Sequence, residues 1–119
     1  AIATDVSFGS APDVSSEKYA SLGKGTMIGY APSLDRKMSV RLAAIAKEKG
    51  IASQPEVMGG RTGTNCDEIQ ISGSGVRTAL LSIPIRNMHT AAELCDLADI
   101  EATARLMAEY IADGGKADA

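Results

Sequence analysis

The chain has 119 residues, of which 45% are hydrophobic and 23% are charged, and its formal net charge is −3. This composition excludes a disordered protein, and the length predicts that residues 1–119 form a single domain. The scattered basic residues argue against nucleic-acid binding, and the lack of an apolar run near the roughly 18 residues of a membrane span argues against a membrane protein.

The cysteines and the N-terminus indicate the cellular compartment. Cys66 and Cys95 show no CxxC spacing, so free thiols are predicted rather than a disulfide. The first residues, AIATDVSF, lack the features of a signal peptide, and a cytoplasmic location is predicted. The chain begins with Ala1 rather than Met, which suggests a truncated or processed chain.

Two short strands are predicted in the first third of the chain. The β-branched residues of AIATDVSF favour a strand that the chain leaves just past Asp5, so Asp5 is expected near the strand's carboxyl end. The segment TMIGYAPS is predicted to form a second strand that ends at Pro32, with Ser33 as the N-cap of the next helix.

An amphipathic helix is predicted from Leu34, because apolar residues recur at helical spacing until Gly50 stops the helix. The following IASQPEVM is typical of a strand, and Pro55 favours an edge position. In GGRTGTNCDEIQISGSG we expect a glycine-rich loop and a short helix, with Thr64 and Asp67 spaced as a weak capping box.

The last third of the chain predicts a buried strand and a long helix. VRTALLSIP is a continuous apolar run, as in a strand that is covered on both faces. In DIEATARLMAEYIADGG, Asp99 is the predicted cap and Gly114 the predicted stop. The predicted buried face consists of Ile100, Ala104, Met107 and Ile111.

This alternation of strands and helices predicts an α/β fold, in which helices are layered around a mixed, partly parallel sheet. In such sheets the ligand crevice lies beyond the carboxyl ends of the strands. Both Asp5 and the loop RNMHT are expected there.

His89, in RNMHTAAE, is the only histidine of the chain. It could be a metal ligand, a general base or a structural hydrogen bonder, and its position does not decide between these roles. Glu93 could accept a proton from the imidazole ring, or it could cap the turn. Lys24 lies between glycines that would allow a ligand to approach. The separate segment GGRTGTN lacks the GK[ST] ending of a phosphate loop, which excludes nucleotide binding.

Four segments, in order, resemble one enzyme family: TDVSFGSAPD, LGKGTMIGY, GGRTGTNCDEIQIS and IPIRNMHTAAE. They are similar to the C-terminal part of the catalytic domain of the glutamyl and tetrahedral aminopeptidases. These are dinuclear metallopeptidases, and some members carry the name endoglucanase or cellulase. The resemblance covers nearly the whole chain.

The resemblance implies an activity and a site. In the family, two divalent metals, zinc or cobalt, share a bridging aspartate and a water, and a neighbouring glutamate is the general base. Asp5 matches a ligand of one metal and His89 a ligand of the other. Peptides are the implied substrates and a homo-oligomer the implied assembly. Residues expected to line or support the site are Lys24, Thr64, Asn65, Arg86 and Glu93.

The chain also departs from the family pattern. The other ligands and the base glutamate precede this segment in the family, and the smaller inserted β-domain is absent. A single ligand for each metal predicts that the isolated chain is inactive. The alternative is a non-catalytic domain that binds itself or a partner through an exposed edge or helix face. An endoglucanase is less favoured, because the chain has no Trp and one Phe.

Overall fold

The computed structural model describes residues 1–13 and 19–115, and these form a layered α/β fold. Strands and helices are interspersed along the chain, and the α/β fold class is as predicted. In chain order they are β1 (Ile2–Phe8), β2 (Thr26–Tyr30), α1 (Arg36–Lys49), β3 (Ser53–Val57), α2 (Cys66–Ile69), β4 (Ala79–Arg86), β5 (Leu94–Cys95) and α3 (Leu97–Ala112).

The strands form one mixed sheet in the order β1-β4-β2-β3, with β5 added beside the end of β4. β1 runs parallel to β4 and β2 runs parallel to β3, whereas β2 and β5 are both antiparallel to β4. The prediction of a mixed, partly parallel sheet is therefore confirmed. The parallel pairing of β1 and β4 places their carboxyl ends at the same edge of the sheet.

Strand β4 occupies the centre of the sheet and is buried on both faces, as its apolar run predicts. Leu80 and Leu81 point to opposite faces and are each at most 1% exposed. Burial of one such side chain contributes about 2 kcal/mol to folding. Strand β3, which contains Pro55, lies at the edge, also as predicted.

Helices α1 and α3 cover one face of this sheet. The core between them and the strands includes Leu42, Ile45 and Leu106 from the helices and Ile28 and Leu81 from the sheet. The other face is covered in part, where a small cluster joins Leu34, Cys66 and Leu80. The rest of that face is open.

The face of α3 that packs against the sheet is not the predicted one. The predicted stripe was wrong by one residue along the helix, because Ile100 is 39% exposed and Ile111 is 67% exposed. The reason is that the carboxylate of Asp99 points inward and accepts two backbone hydrogen bonds, which hydrophobic periodicity does not reveal. The residues that α3 buries are Asp99, Thr103, Leu106 and Tyr110.

Both predicted helix N-caps were also wrong, whereas the predicted stop of α1 is confirmed. Asp35, not Ser33, caps α1, and Asp96, not Asp99, caps α3; each carboxylate accepts a hydrogen bond from a backbone N–H of its helix. Aspartate holds this position well because its oxygen satisfies a donor that the helix leaves unpaired. Gly50 ends α1 in the left-handed conformation, with φ of 63°.

Asp35 makes the stability of the fold depend on pH. Its carboxylate accepts hydrogen bonds from Arg77 at 2.6 and 3.2 Å, which lower its pKa from 3.8 to about 2. The contribution is therefore present above pH 3.8 and is lost as the pH falls towards 2. Asp35→Asn, which keeps an oxygen for the cap, should cost about 1 kcal/mol at pH 6.

The measurement is urea unfolding of both proteins between pH 2 and 6. The difference in free energy of unfolding between the wild type and Asp35→Asn should be constant above about pH 4 and should shrink towards pH 2. A difference that does not change with pH would show that the ion pair does not contribute to stability.

Cys66 is buried and Cys95 is exposed, and both are free thiols, as predicted. Burial raises the pKa of the Cys66 thiol. Within residues 1–13 and 19–115, no helix has the length and apolar character needed to cross a bilayer.

Candidate functional site

A cleft of about 820 Å³ lies on the open face of the sheet. The second half of β1 and the edge strand β3 form its sides. The loops that follow β3 and β4 contribute to its rim. The described residues that line it are 5–8, Tyr19, Ala20, Met27, 53–58, 62–64, Met88 and His89.

The register of the sheet shows why Asp5, Met27 and Gln54 share one face. Asp5 lies beside Ser82, Ser82 beside Met27, and Met27 beside Gln54, in one row across the sheet. Residues paired in this way point to the same side. The neighbouring row contains Leu81 and Ile28, which belong to the core under α1 and α3. The cleft is therefore on the side opposite α1 and α3.

Asp5 lies in the middle of β1, not near its end, because the strand continues to Phe8. The prediction that the chain leaves the sheet just past Asp5 was wrong. Alternating inward and outward residues in DVSF extend the strand beyond the turn formers that suggested an earlier end. Asp5 nevertheless lines the cleft, and one of its oxygens accepts the Val6 backbone N–H at 2.8 Å.

His89 lies in the loop after β4, three residues beyond the end of the strand at Arg86. The His89 side chain lines the cleft and is exposed. Glu93 accepts a hydrogen bond from the backbone N–H of His89 at 2.8 Å, and not from the imidazole ring. Of the alternatives for Glu93, the structure supports the one in which it caps the turn.

A residue with a carboxylate, Asp5, and a residue with an imidazole, His89, thus line the same cleft. These are donor types that zinc and cobalt accept. Within the described residues, however, no group of three or more His, Cys, Asp or Glu side chains could hold a metal ion. The two residues therefore fit part of a metal site and do not complete one.

Thr64 lines the cleft in a tightly bonded turn before α2. Its hydroxyl lies 2.8 Å from that of Thr62 and accepts the Cys66 N–H at 3.2 Å. The Asp67 carboxylate accepts the N–H groups of Thr62 and Gly63 rather than closing a capping box with Thr64. The hydrogen bond from the Thr62 N–H is the largest effect that lowers the pKa of Asp67.

Four of the predicted site residues are not among the described residues that line the cleft. Arg86 donates to the Ser10 carbonyl oxygen at 2.7 Å, so it ties the end of β4 to the segment after β1. Lys24 is exposed at the tip of a glycine turn, and Asn65 is exposed at the start of α2. The fourth is Glu93, which lies in the same loop after β4 as His89.

Two residues of the cleft were missed by the sequence analysis. The Ser7 hydroxyl donates to the carboxylate of Glu56, and both side chains line the cleft. The second oxygen of Glu56 is buried without a hydrogen-bond partner among the described residues. The period of two along a strand could have identified both, since Ser7 follows Asp5 by two residues and Glu56 follows Gln54 by two.

The buried Asp99 was assigned the wrong role. Its two oxygens accept the N–H groups of Gly23 and Gly25 at 2.8 and 2.7 Å, so the first turn of α3 holds the LGKG turn. A Cβ atom at Gly25 would lie 2.0 Å from the carbonyl oxygen of Ala52. No sequence pattern links position 99 to positions 23 and 25.

Comparison with known proteins identifies the family. The model of the M42 glutamyl aminopeptidases matches residues 1–106. A lysyl aminopeptidase of Pyrococcus furiosus is 38% identical over 105 residues, which is 88% of this chain and 30% of the relative.

Solved structures show the same relationship. An aminopeptidase from Desulfurococcus kamchatkensis is 29% identical with a TM-score of 0.83, over 92% of this chain and 33% of its own. The TET1 peptidase of Pyrococcus horikoshii, which can assemble into a tetrahedron or a large octahedral shell, is 26% identical with a TM-score of 0.61, over 91% of this chain and 32% of its own. The chain spans about a third of the length of these relatives. It belongs to the M42 glutamyl aminopeptidase family.

Proposed function

We propose that this chain is the C-terminal part of the catalytic domain of a metal-dependent aminopeptidase, and that residues 1–119 form one structural unit of it. The support is the match to the M42 family over residues 1–106, together with a cleft on the one sheet face that the helices leave open. The parent enzyme removes N-terminal residues from peptides. Its location is proposed to be the cytoplasm.

The single observation that carries this proposal is that Asp5 and His89 line the same cleft. They come from β1 and from the loop after β4, two parallel neighbours in the sheet. We assign one ligand of each of two divalent metals to these residues, Asp5 to the first and His89 to the second. The remaining ligands and the base glutamate are assigned to the rest of the parent enzyme.

A pair of zinc or cobalt ions, when bound, would polarise the scissile carbonyl and lower the pKa of a bound water. The residues of this chain have simpler tasks. Asp5 projects from a rigid strand, which fixes the direction of its carboxylate. His89 projects from a loop that is tied by its own hydrogen bonds. Thr64, in the bonded turn before α2, is proposed to line the substrate side of the cleft.

Lys24, Asn65 and Arg86 are proposed to support the site from outside the cleft. Arg86 does so by holding the segment after β1 through the Ser10 carbonyl. Lys24 and Asn65 are exposed and accessible to a neighbouring part of the enzyme or to a long substrate.

The isolated chain is expected to have no peptidase activity. Incubation with zinc or cobalt chloride and the p-nitroanilides of lysine, leucine and glutamate should release no more nitroaniline than the metal salt alone. The reason is that two donors do not complete the three or more ligands of a catalytic metal. His89→Ala is the matched control, and substantial turnover by the wild type that this variant loses would contradict the proposed incompleteness.

A second candidate function is self-association. Val57 is 80% exposed and Phe8 is 51% exposed, so apolar surface is available at the edges of the sheet for a partner. The assembly of the Pyrococcus horikoshii relative supports a homo-oligomer for the parent enzyme. We propose peptides and not sugars as the substrates, because the family is one of aminopeptidases.

A further inference from the structure

The loop that carries His89 has an unusual backbone. Asn87 and His89 both have positive φ, of 57° and 66°, and they are the non-glycine residues with this conformation in the described part of the chain. A left-handed conformation is uncommon for a residue with a Cβ atom, although asparagine and histidine adopt it more readily than most. We expect two such residues within three positions to need a local restraint.

Hydrogen bonds inside the loop supply this restraint. The Glu93 carboxylate accepts the His89 N–H at 2.8 Å, and a bond to a charged acceptor is stronger than one to a neutral acceptor. The hydroxyl of Thr90 lies 2.6 Å from the Asn87 carbonyl oxygen and 3.0 Å from that of Ala92. The Thr90 N–H also donates to the Asn87 carbonyl oxygen, at 3.2 Å.

The direction of the imidazole follows from this backbone. The direction of a side chain depends on the backbone conformation of its residue. His89 lines the cleft with φ of 66°, so a change of φ at His89 would turn its side chain relative to the cleft. Because Glu93 bonds the backbone, it can fix this direction without occupying a ring nitrogen.

We propose that Glu93 is the positioning residue of His89, and that it acts through the backbone N–H and not through the ring. This inference rests on the proposed function, in which His89 binds a metal. Thr90 supports the same conformation from the other side of the loop. Glu93 is exposed and is not among the described residues that line the cleft.

The test compares Glu93→Ala with Glu93→Gln in the 119-residue chain, using NMR. His89 is the only histidine, so its ring signals are unambiguous. Two quantities are measured: the hydrogen-exchange rate of the His89 amide, and the cobalt chloride concentration that half-broadens the His89 ring signals. Glu101→Ala, which removes an exposed carboxylate from α3, is the matched control.

Glu93→Ala should speed exchange of the His89 amide about tenfold or more, as expected for loss of a charge-assisted hydrogen bond. It should also raise the required cobalt concentration about tenfold, the lower range for loss of an outer partner of a metal ligand. Glu93→Gln keeps an oxygen acceptor and should restore both quantities to within about threefold. Glu101→Ala should leave both unchanged.

Unchanged exchange and unchanged cobalt response in Glu93→Ala would overturn the positioning role. Failure of the proposed function gives a different result, in which exchange of the His89 amide is faster in Glu93→Ala but the cobalt response is the same as in the wild type. If Glu93→Ala unfolds the chain, Thr90→Val provides the second variant. It should accelerate exchange of the same amide, and no change would count against the loop restraint.

Discussion

Asp99→Ala should destabilise the fold by about 3 kcal/mol, a large fraction of the total for a domain of this size. The substitution removes the acceptors of two backbone N–H groups, those of Gly23 and Gly25. A buried donor without a partner costs about 1 to 3 kcal/mol. The Gly25 bond is fully buried, and the Gly23 bond is partly buried, so the two costs are not equal.

Urea unfolding followed by circular dichroism measures this effect. Asp99→Asn keeps one acceptor oxygen but turns an N–H₂ group towards the other glycine, so an intermediate loss of about 1 to 2 kcal/mol is expected. Glu101→Ala, an exposed carboxylate on the same helix, should change stability by less than about 0.5 kcal/mol. If Asp99→Ala were as stable as Glu101→Ala, the buried carboxylate would not hold the glycine turn.

The sequence predicted the sheet well because its strands carry strong local patterns. The continuous apolar run of β4 predicts a strand buried on both faces, and Pro55 predicts an edge strand; both are confirmed. Gly50 ends α1 as predicted, since left-handed backbone after a helix strongly favours glycine. Each of these features depends on a few neighbouring residues and not on the tertiary structure.

The features that the sequence did not predict depend on contacts between distant segments. Aspartate is a residue type that is common at helix N-caps, which is why Asp99 was predicted to be one. Its inward direction is explained only by its hydrogen bond with Gly23, 76 residues away in the chain. The hydrogen bonds of Asp99 rotate the buried face of α3 by one residue from the predicted stripe. Asp35 caps α1 instead of Ser33 because Arg77, on the segment before β4, binds the same carboxylate.

The candidate site was predictable only in part, because some of its residues lie in local motifs and others depend on contacts between distant strands. Asp5 and His89 were named from motifs, and the parallel pairing of β1 with β4 explains why both can line one cleft. Ser7 and Glu56 were missed because β1 and β3 lie at opposite ends of the strand order, and their contact depends on the shape of the whole sheet.

The largest expected effect concerns catalysis. In a chimaera, this chain replaces the matching 105 residues of the Pyrococcus furiosus lysyl aminopeptidase, which supplies the remaining 70% of the enzyme. His89→Ala and Asp5→Ala should each lower kcat/KM for lysine p-nitroanilide by more than about 100-fold. Loss of an outer partner alone costs about 10- to 100-fold, and direct ligands should cost more.

The central claim is that Asp5 and His89 of this chain bind the catalytic metals, and the most direct test is the activity and the metal content of that chimaera and its variants. The account predicts an active, metal-containing chimaera in which His89→Ala and Asp5→Ala lose both activity and bound metal, while Glu101→Ala retains them. Variants at His89 and Asp5 that keep the activity and metal content of the chimaera would contradict it.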